Sequence, residues 1–226
     1  MSVNPRRYDA TRRRDQAART RAAILEASRH QFLTQGYATT TIVSIAAGVG
    51  ASADTIYKAF GGKAALLLAV CEDALNGTGA VPAETRSDAM QAAEHDPVAL
   101  LRGLGTLTGE VAPRIAPLLL LLSAAAEADP ALQQMRTDLD AARQARMAQV
   151  AATLASKTPL RAGRSIDEAA DIMWVYSSPE IYRLLVLDRH WPIDRYAQFV
   201  GDSLVVALLD SGSRDHRPTP VGQRDR

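Results

Sequence analysis

TIVSIAAGVGASADTIYKAFGGK, residues 41–63, reads as two short helices joined by a glycine turn. Thr41 is a helix N-cap by residue type, and Ile42, Ile45 and Ala46 give the helix that follows an apolar face, with Val49 one turn further on. Gly48 and Gly50 weaken that helix, and Gly50 can adopt the positive φ that a sharp turn needs. Ser52 is a second N-cap. Ala53 to Phe60 then forms the second helix, with Ile56 and Phe60 one turn apart and facing inward. Two short helices across a tight glycine turn fit the helix-turn-helix, whose second helix enters the DNA major groove.

Working outward, the preceding residues 19–35 carry Ile24, Ala27, Ser28 and Phe32 at three- and four-residue spacing, which predicts one more helix ending at Gly36. Residues 1–18 hold arginines at 6, 7, 12, 13 and 14 and almost no large apolar side chains, and read as a mobile basic arm. Such an arm can place Arg12, Arg13 and Arg14 in the narrow, electronegative minor groove. After Phe60, Gly61-Gly62 forms a joint, and Lys63 to Asn76 is a helix through Leu66, Leu67 and Val70.

Further along, Asp96-Pro97, Asp129-Pro130 and Ser178-Pro179 are cap-proline pairs that open helices, and Ser165 with Glu168 fits a capping box. Pro113 and Pro117 are expected to break the chain before a separate Leu118 to Ala128 segment. A last helix runs from about Asp194 to Leu209. The polar tail from residue 212 reads as disordered. No segment makes a convincing strand, so the expected fold is all-α.

The 226 residues, 47% hydrophobic, suffice for a real core. No apolar run approaches the ~20 residues of a membrane helix, and no signal or anchor segment is evident, so a cytoplasmic protein without a membrane partner is expected. Cys71 is the single cysteine, and the four histidines form no cluster, so neither a disulfide nor a metal or other cofactor is expected. The net charge of +1 conceals a basic first third: residues 1–70 carry +6 and residues 71–226 carry −5. One end of the molecule is expected to meet a polyanion, with a merely solvated basic tail as the alternative reading.

Enzymatic readings are weaker. Gly61-Gly62-Lys63-Ala64 lacks the hydroxyl residue, the earlier glycine and the strand of a phosphate loop. His30, His95, His190 and His216 have no nucleophile or paired acid in a recognisable pattern. The alternative is a helical enzyme or ligand carrier that does not bind DNA.

From Ile24 to Val70 the chain resembles the TetR family of bacterial transcriptional regulators, through Ile24, Phe32, Gly36-Tyr37, Thr41, Ile45-Ala46, Gly50, Ser52, Thr55, Tyr57, Phe60, Lys63 and Leu66, without a gap in spacing. The resemblance implies double-stranded DNA as partner, with Thr41, Tyr57 and Lys63 on phosphates and Ser52, Ala53, Asp54, Thr55 and Lys58 toward base edges. Ser52 and Asp54 are equally well read as cap and surface residues. The resemblance also implies a division into the arm (1–18), a helix-turn-helix domain (19–65), a helical ligand-binding and dimerisation domain (66–211) and the tail (212–226).

A small-molecule effector is expected among the middle helices, with Leu104, Leu121, Met147, Met173, Trp174 and Tyr176 as candidate walls. A fully packed core stands as the alternative reading of those apolar stripes. A homodimer through the last two helices, about 166–187 and 194–209, is the implied assembly. Three residues depart from the family pattern. Asp54 stands where a small residue is common, and its carboxylate is expected to discriminate between bases rather than attract DNA. Gln31 stands on a face expected to be apolar, and Gly48 lies inside the first motif helix.

Overall fold

The computed structural model describes residues 5–77 and 81–210, with 5–11 and 13 as backbone only. The elements are α1 (Pro5–Gln35), α2 (Ile42–Val49), α3 (Ala53–Phe60), α4 (Lys63–Asn76), α5 (Ala83–Ala93), α6 (Pro97–Ala126), α7 (Pro130–Lys157), α8 (Ile166–Tyr176), α9 (Pro179–Tyr182) and α10 (Ile193–Leu208). A 3₁₀ turn precedes α8, and a π-helical turn, Arg183–Leu187, follows α9. The described residues contain no strand, and the fold is all-α as expected.

Local signals place most helix starts. Asp96 caps α6, accepting from the amides of Val98 and Ala99, and Asp129 caps α7 by accepting from Ala131. In both, proline occupies the first turn, where its missing N–H is not needed. Ser165 and Glu168 close the capping box that starts α8.

Two expectations are corrected. The segment expected as a mobile arm, 1–18, is helical from Pro5 onward and continuous with the rest of α1. Residues 6–18 contain no glycine or proline, and alanine and arginine are strong helix formers. The segment therefore extends a helix already nucleated by the packing of Ile24, Ser28 and Phe32. Residues 1–4 and the tail expected at 212–226 lie outside the described residues. The break expected at Pro113 and Pro117 is also absent, because α6 runs through both. The prolines are four residues apart, so the lost amide donors fall on one side of the helix. Around them Ala112, Ile115, Ala116, Leu118 and Leu122 are buried, and this packing holds a helix that local propensity alone would end.

The interior forms two cores. The first joins Ile24, Phe32, Ile45, Ile56, Leu66, Leu67 and Val70 from α1–α4 to Ile115, Leu118, Leu122 and Leu132 from the end of α6 and the start of α7. Leu66, Leu67, Ala69, Val70, Cys71 and Ala74, beyond the sequence boundary at 65, thus lie within the first core. The second core joins Leu100, Leu101 and Leu104 of α6 to Val150 and Leu154 of α7, Ala169 and Met173 of α8, and Tyr196, Val200, Leu204 and Leu208 of α10. Among the described residues α6 is the one helix long and apolar enough to cross a membrane, yet its buried face is spent on these two cores.

Helices α6 and α10 meet backbone to backbone. A Cβ on Gly105 would lie 2.5 Å from the Ala197 carbonyl oxygen, and one on Gly109 would lie 2.6 Å from the Ala197 Cβ. Gly105→Ala is accordingly expected to destabilise the protein by about 1–3 kcal/mol through forced separation of the helices. Gly48→Ala, at a helical glycine whose added Cβ would meet only the Gln31 Nε2 at 3.5 Å, is expected to stabilise by about 0.5–1 kcal/mol. Denaturant unfolding of the two variants side by side checks the opposite signs.

Candidate nucleic-acid interface

The first motif helix is fixed at both ends by its own residues. Thr41 Oγ1 accepts from the Ser44 amide at 3.0 Å, while the Thr41 amide donates to Ser44 Oγ at 3.2 Å, a reciprocal capping box. At the other end Gly50 adopts φ 66°, and its amide and that of Ala51 bond back to the closing turn of α2. Ser52 then accepts from the Thr55 amide at 3.1 Å and starts α3. Only Gly50, Ala51 and Ser52 separate the two helices. Ile42, Ile45, Ala46 and Ile56 are buried beneath them, so the remaining faces are directed outward.

On that outward side Ser52, Asp54, Thr55, Tyr57 and Lys58 are exposed, Ala53 is half-buried, and Thr41 is exposed at the start of α2. Tyr57 is 53% exposed although it is a large aromatic residue. Asp54 and Lys58 form an ion pair one turn apart, at 2.7 Å. An exposed pair of this kind is worth only about 0.3–0.5 kcal/mol, so both groups remain free to exchange partners. The hydroxyls of Ser52 and Thr55 lie 2.8 Å apart, one donating to the other. Arg12 and Arg14 are exposed on α1, whereas the Arg13 side chain lies outside the described residues. Further along α1, the Arg21 guanidinium packs 4.4 Å from the centre of the Phe60 ring and ties α1 to the end of α3.

The two departures at Gln31 and Gly48 prove to be connected. Gln31 accepts from Ser44 Oγ at 2.8 Å and donates through Nε2 to the Ser44 carbonyl at 3.3 Å, so its inward polar group is satisfied. The same amide nitrogen lies beside Gly48, 3.5 Å from where a Cβ would stand, an ordinary contact distance. A polar residue on an inward face with a glycine on the facing helix was the available signal.

Lys63 does not project into solvent. Its Nζ donates to the carbonyls of Tyr37 at 2.9 Å, Thr40 at 3.1 Å and Ala38 at 3.5 Å, and lies 4.2 Å from the centre of the Tyr37 ring. Burial, with Asp129 nearby, raises the Tyr37 phenol above its ordinary range. Cys71 is buried in the same core and its thiol is pushed up to about 12, so it stays protonated and packs as an apolar group.

The six candidate effector residues are not gathered around one cavity. Leu104 and Met173 are buried in the second core, with Met147 packed against it, whereas Leu121 packs on the first. Trp174 is covered by the Arg143 guanidinium, 4.4 Å from its ring centre, and Arg143 also donates to the Trp174 carbonyl. Desolvation there lowers the Arg143 pKa. Tyr176 alone lines an open cleft of about 570 Å³, together with Trp191, Arg195, Phe199, Asp202 and Val206. The Phe199 ring meets Tyr176 and Trp191 edge-on at 6.2 and 5.7 Å. Sequence reasoning missed Trp191 as a wall, because it lies in the loop before α10 and its neighbours come from the helix that follows.

A capped three-helix unit with an exposed second motif helix, carried on a larger helical body, has the architecture of a helix-turn-helix protein. Residues 24–70 match the model of the tetR family of bacterial regulatory proteins. Comparison with curated proteins gives no match. The fold is shared with solved structures of low identity. NalD, the secondary repressor of the MexAB-OprM multidrug efflux pump in Pseudomonas aeruginosa, is 18% identical with a TM-score of 0.67, covering 86% of this chain and 99% of that one. A putative transcriptional regulator from Saccharomonospora viridis in complex with choline is 19% identical with a TM-score of 0.65, covering 84% and 98%. SmeT in its triclosan complex is 20% identical with a TM-score of 0.66, covering 90% and 99%.

Ser44→Ala would remove the return arm of the capping box and the donor to Gln31 together. The expected loss is about 1–2 kcal/mol of unfolding free energy. An unchanged denaturation midpoint would show that this hydrogen-bonded corner contributes nothing to stability.

Proposed function

We propose that the protein is a ligand-responsive transcriptional regulator that binds a palindromic operator as a homodimer, represses transcription, and releases DNA when a small apolar or amphipathic molecule binds. The observation that carries this reading is the exposed face of α3, Asp54, Thr55, Tyr57 and Lys58, next to the exposed cap residues Thr41 and Ser52, in the part of the chain that carries +6. Thr41 and Tyr57 position the motif on phosphates; Ser52, Ala53, Asp54, Thr55 and Lys58 read base edges. Arg12 and Arg14, on a helix rather than an extended arm, lie along the DNA backbone beyond the motif.

Dimerisation is supported by apolar side chains left outside the cores at the C-terminal end. Val175, Leu184, Leu187 and Val206 are each more than 40% exposed, and they belong to α8, the π-helical turn and α10. A partner that covers them sets two α3 helices against one side of the duplex, and the two half-sites then need a separation of about 34–36 Å, one DNA turn. An effector acts through its difference in affinity for the DNA-bound and released states, and about 1–3 kcal/mol of coupling makes a useful response. The aromatic walls of the open cleft at Tyr176, Trp191 and Phe199 favour an apolar or amphipathic molecule. The reading assigns no catalysis and a cytoplasmic site of action.

Selection of bound fragments from a random-sequence duplex library tests the DNA reading. Affinity for the selected fragment is expected to fall steeply with salt, with a slope of about 0.9 for each phosphate neutralised. A carrier or enzyme would enrich no sequence. Asp54→Ala is expected to alter relative affinities across single-base operator variants by about 1–3 kcal/mol at one position, and uniform affinities would remove Asp54 from base reading. In sedimentation, Val206→Glu is expected to convert a dimer to monomers at micromolar protein, and a wild-type monomer would exclude the proposed assembly.

A further inference from the structure

Lys63 stands where its charge is locally unfavourable. It is the first residue of α4, with no acid in that turn and no side-chain cap from Gly62, so the positive end of the helix faces a positive side chain. What holds the ammonium lies elsewhere in the chain. An ammonium has three N–H donors, and three carbonyls, those of Tyr37, Thr40 and Ala38, converge on this one, with the Tyr37 ring beneath it. That ring is itself stacked on the buried Phe32, at 5.8 Å between centroids. The turn is also tied from within, because the buried Thr40 donates through its hydroxyl to the Gly36 carbonyl at 2.8 Å. Thr40 immediately precedes Thr41, the N-cap of α2.

We propose that Lys63 is a positioning residue, and that it acts through the Tyr37–Thr40 turn to set Thr41 and the start of α2 against the start of α4 instead of contacting a phosphate itself. The proposal rests on the DNA-binding reading above. With its donors committed to carbonyls, the ammonium is a poor phosphate ligand. The same bonds make the start of α4 and the start of α2 move together, so a displacement of α4 is delivered to Thr41.

The test uses the full chain and the duplex fragment selected by the wild type. Lys63→Met is expected to lower affinity for that fragment about tenfold, measured well below the unfolding temperature of a variant shown to be folded by circular dichroism. The slope of log affinity against log salt is expected to stay at the wild-type value. Tyr37→Leu, which leaves Lys63 in place but removes the ring beneath it, is expected to lower affinity too, and the double variant to lose less than the two losses combined. A fall in slope of about 1.8, two phosphate contacts in a dimer, would overturn the proposal in favour of direct contact. Wild-type affinity in the folded Lys63→Met protein would overturn it in favour of a purely structural role. Should Lys63→Met not fold, Lys63→Gln carries the same measurements. Absence of any selected fragment for the wild type is the separate failure of the DNA-binding reading.

Discussion

Helix α6 supplies side chains to both hydrophobic cores, and neither core closes without it. Leu100, Leu101 and Leu104 near its start fill the core shared with α7, α8 and α10, while Ile115, Leu118 and Leu122 near its end cover the helices that carry the helix-turn-helix. Close-packed interiors transmit small displacements because they have little free volume in which to absorb them. The polar contacts of α6 follow the same line. Arg114 donates to the Ala74 carbonyl in the closing turn of α4, and its own carbonyl accepts from Arg29 of α1. Its neighbour Glu110 is held below the usual carboxylate range mainly by the Arg86 guanidinium of α5. A change in how α6 sits among α7, α8 and α10 is therefore felt at α1 and α4 without a separate relay.

The features that were legible in the sequence are the ones decided within a few residues. Thr41, Ser52, Asp96, Asp129 and Ser165 all cap the helices expected of them, because a cap is a contract between a side chain and an amide two or three positions away. The αL turn at Gly50 is of the same kind. The failures needed distant partners. Pro113 and Pro117 stop a helix on local grounds, and only the burial of their neighbours against α4, α7 and α10 keeps α6 intact. The arginine-rich start of the chain has the composition of a loose arm, yet the stable helix downstream of it propagates backward through residues that do not resist.

The site shows the same division in finer grain. The identity and spacing of Ser52, Asp54, Thr55, Tyr57 and Lys58 place them on an exposed helical face, and periodicity suffices to see it. The partners of Lys63 are 23 to 26 residues away in a turn without regular structure, so no pattern announces them. Gln31 is intermediate. Its position on an inward stripe was readable as an anomaly, but the explanation required Ser44 and Gly48 to be brought opposite it.

The backbone contact between α6 and α10 constrains more than stability. Gly105 and Gly109 on one helix face Ala197 and Gly201 on the other, and a Cβ on Gly201 would stand 3.0 Å from the Arg102 Cα. A larger residue at Gly105 or Gly201 cannot be accommodated by trimming the facing helix, since what it meets there is main chain, whereas one at Gly109 meets the Ala197 Cβ. At Gly105 and Gly201 divergence is thus closed to compensated pairs of substitutions, the usual route by which cores drift. Change in the second core therefore has to proceed around these two glycines, by altering what α7, α8 and the outer face of α10 contribute.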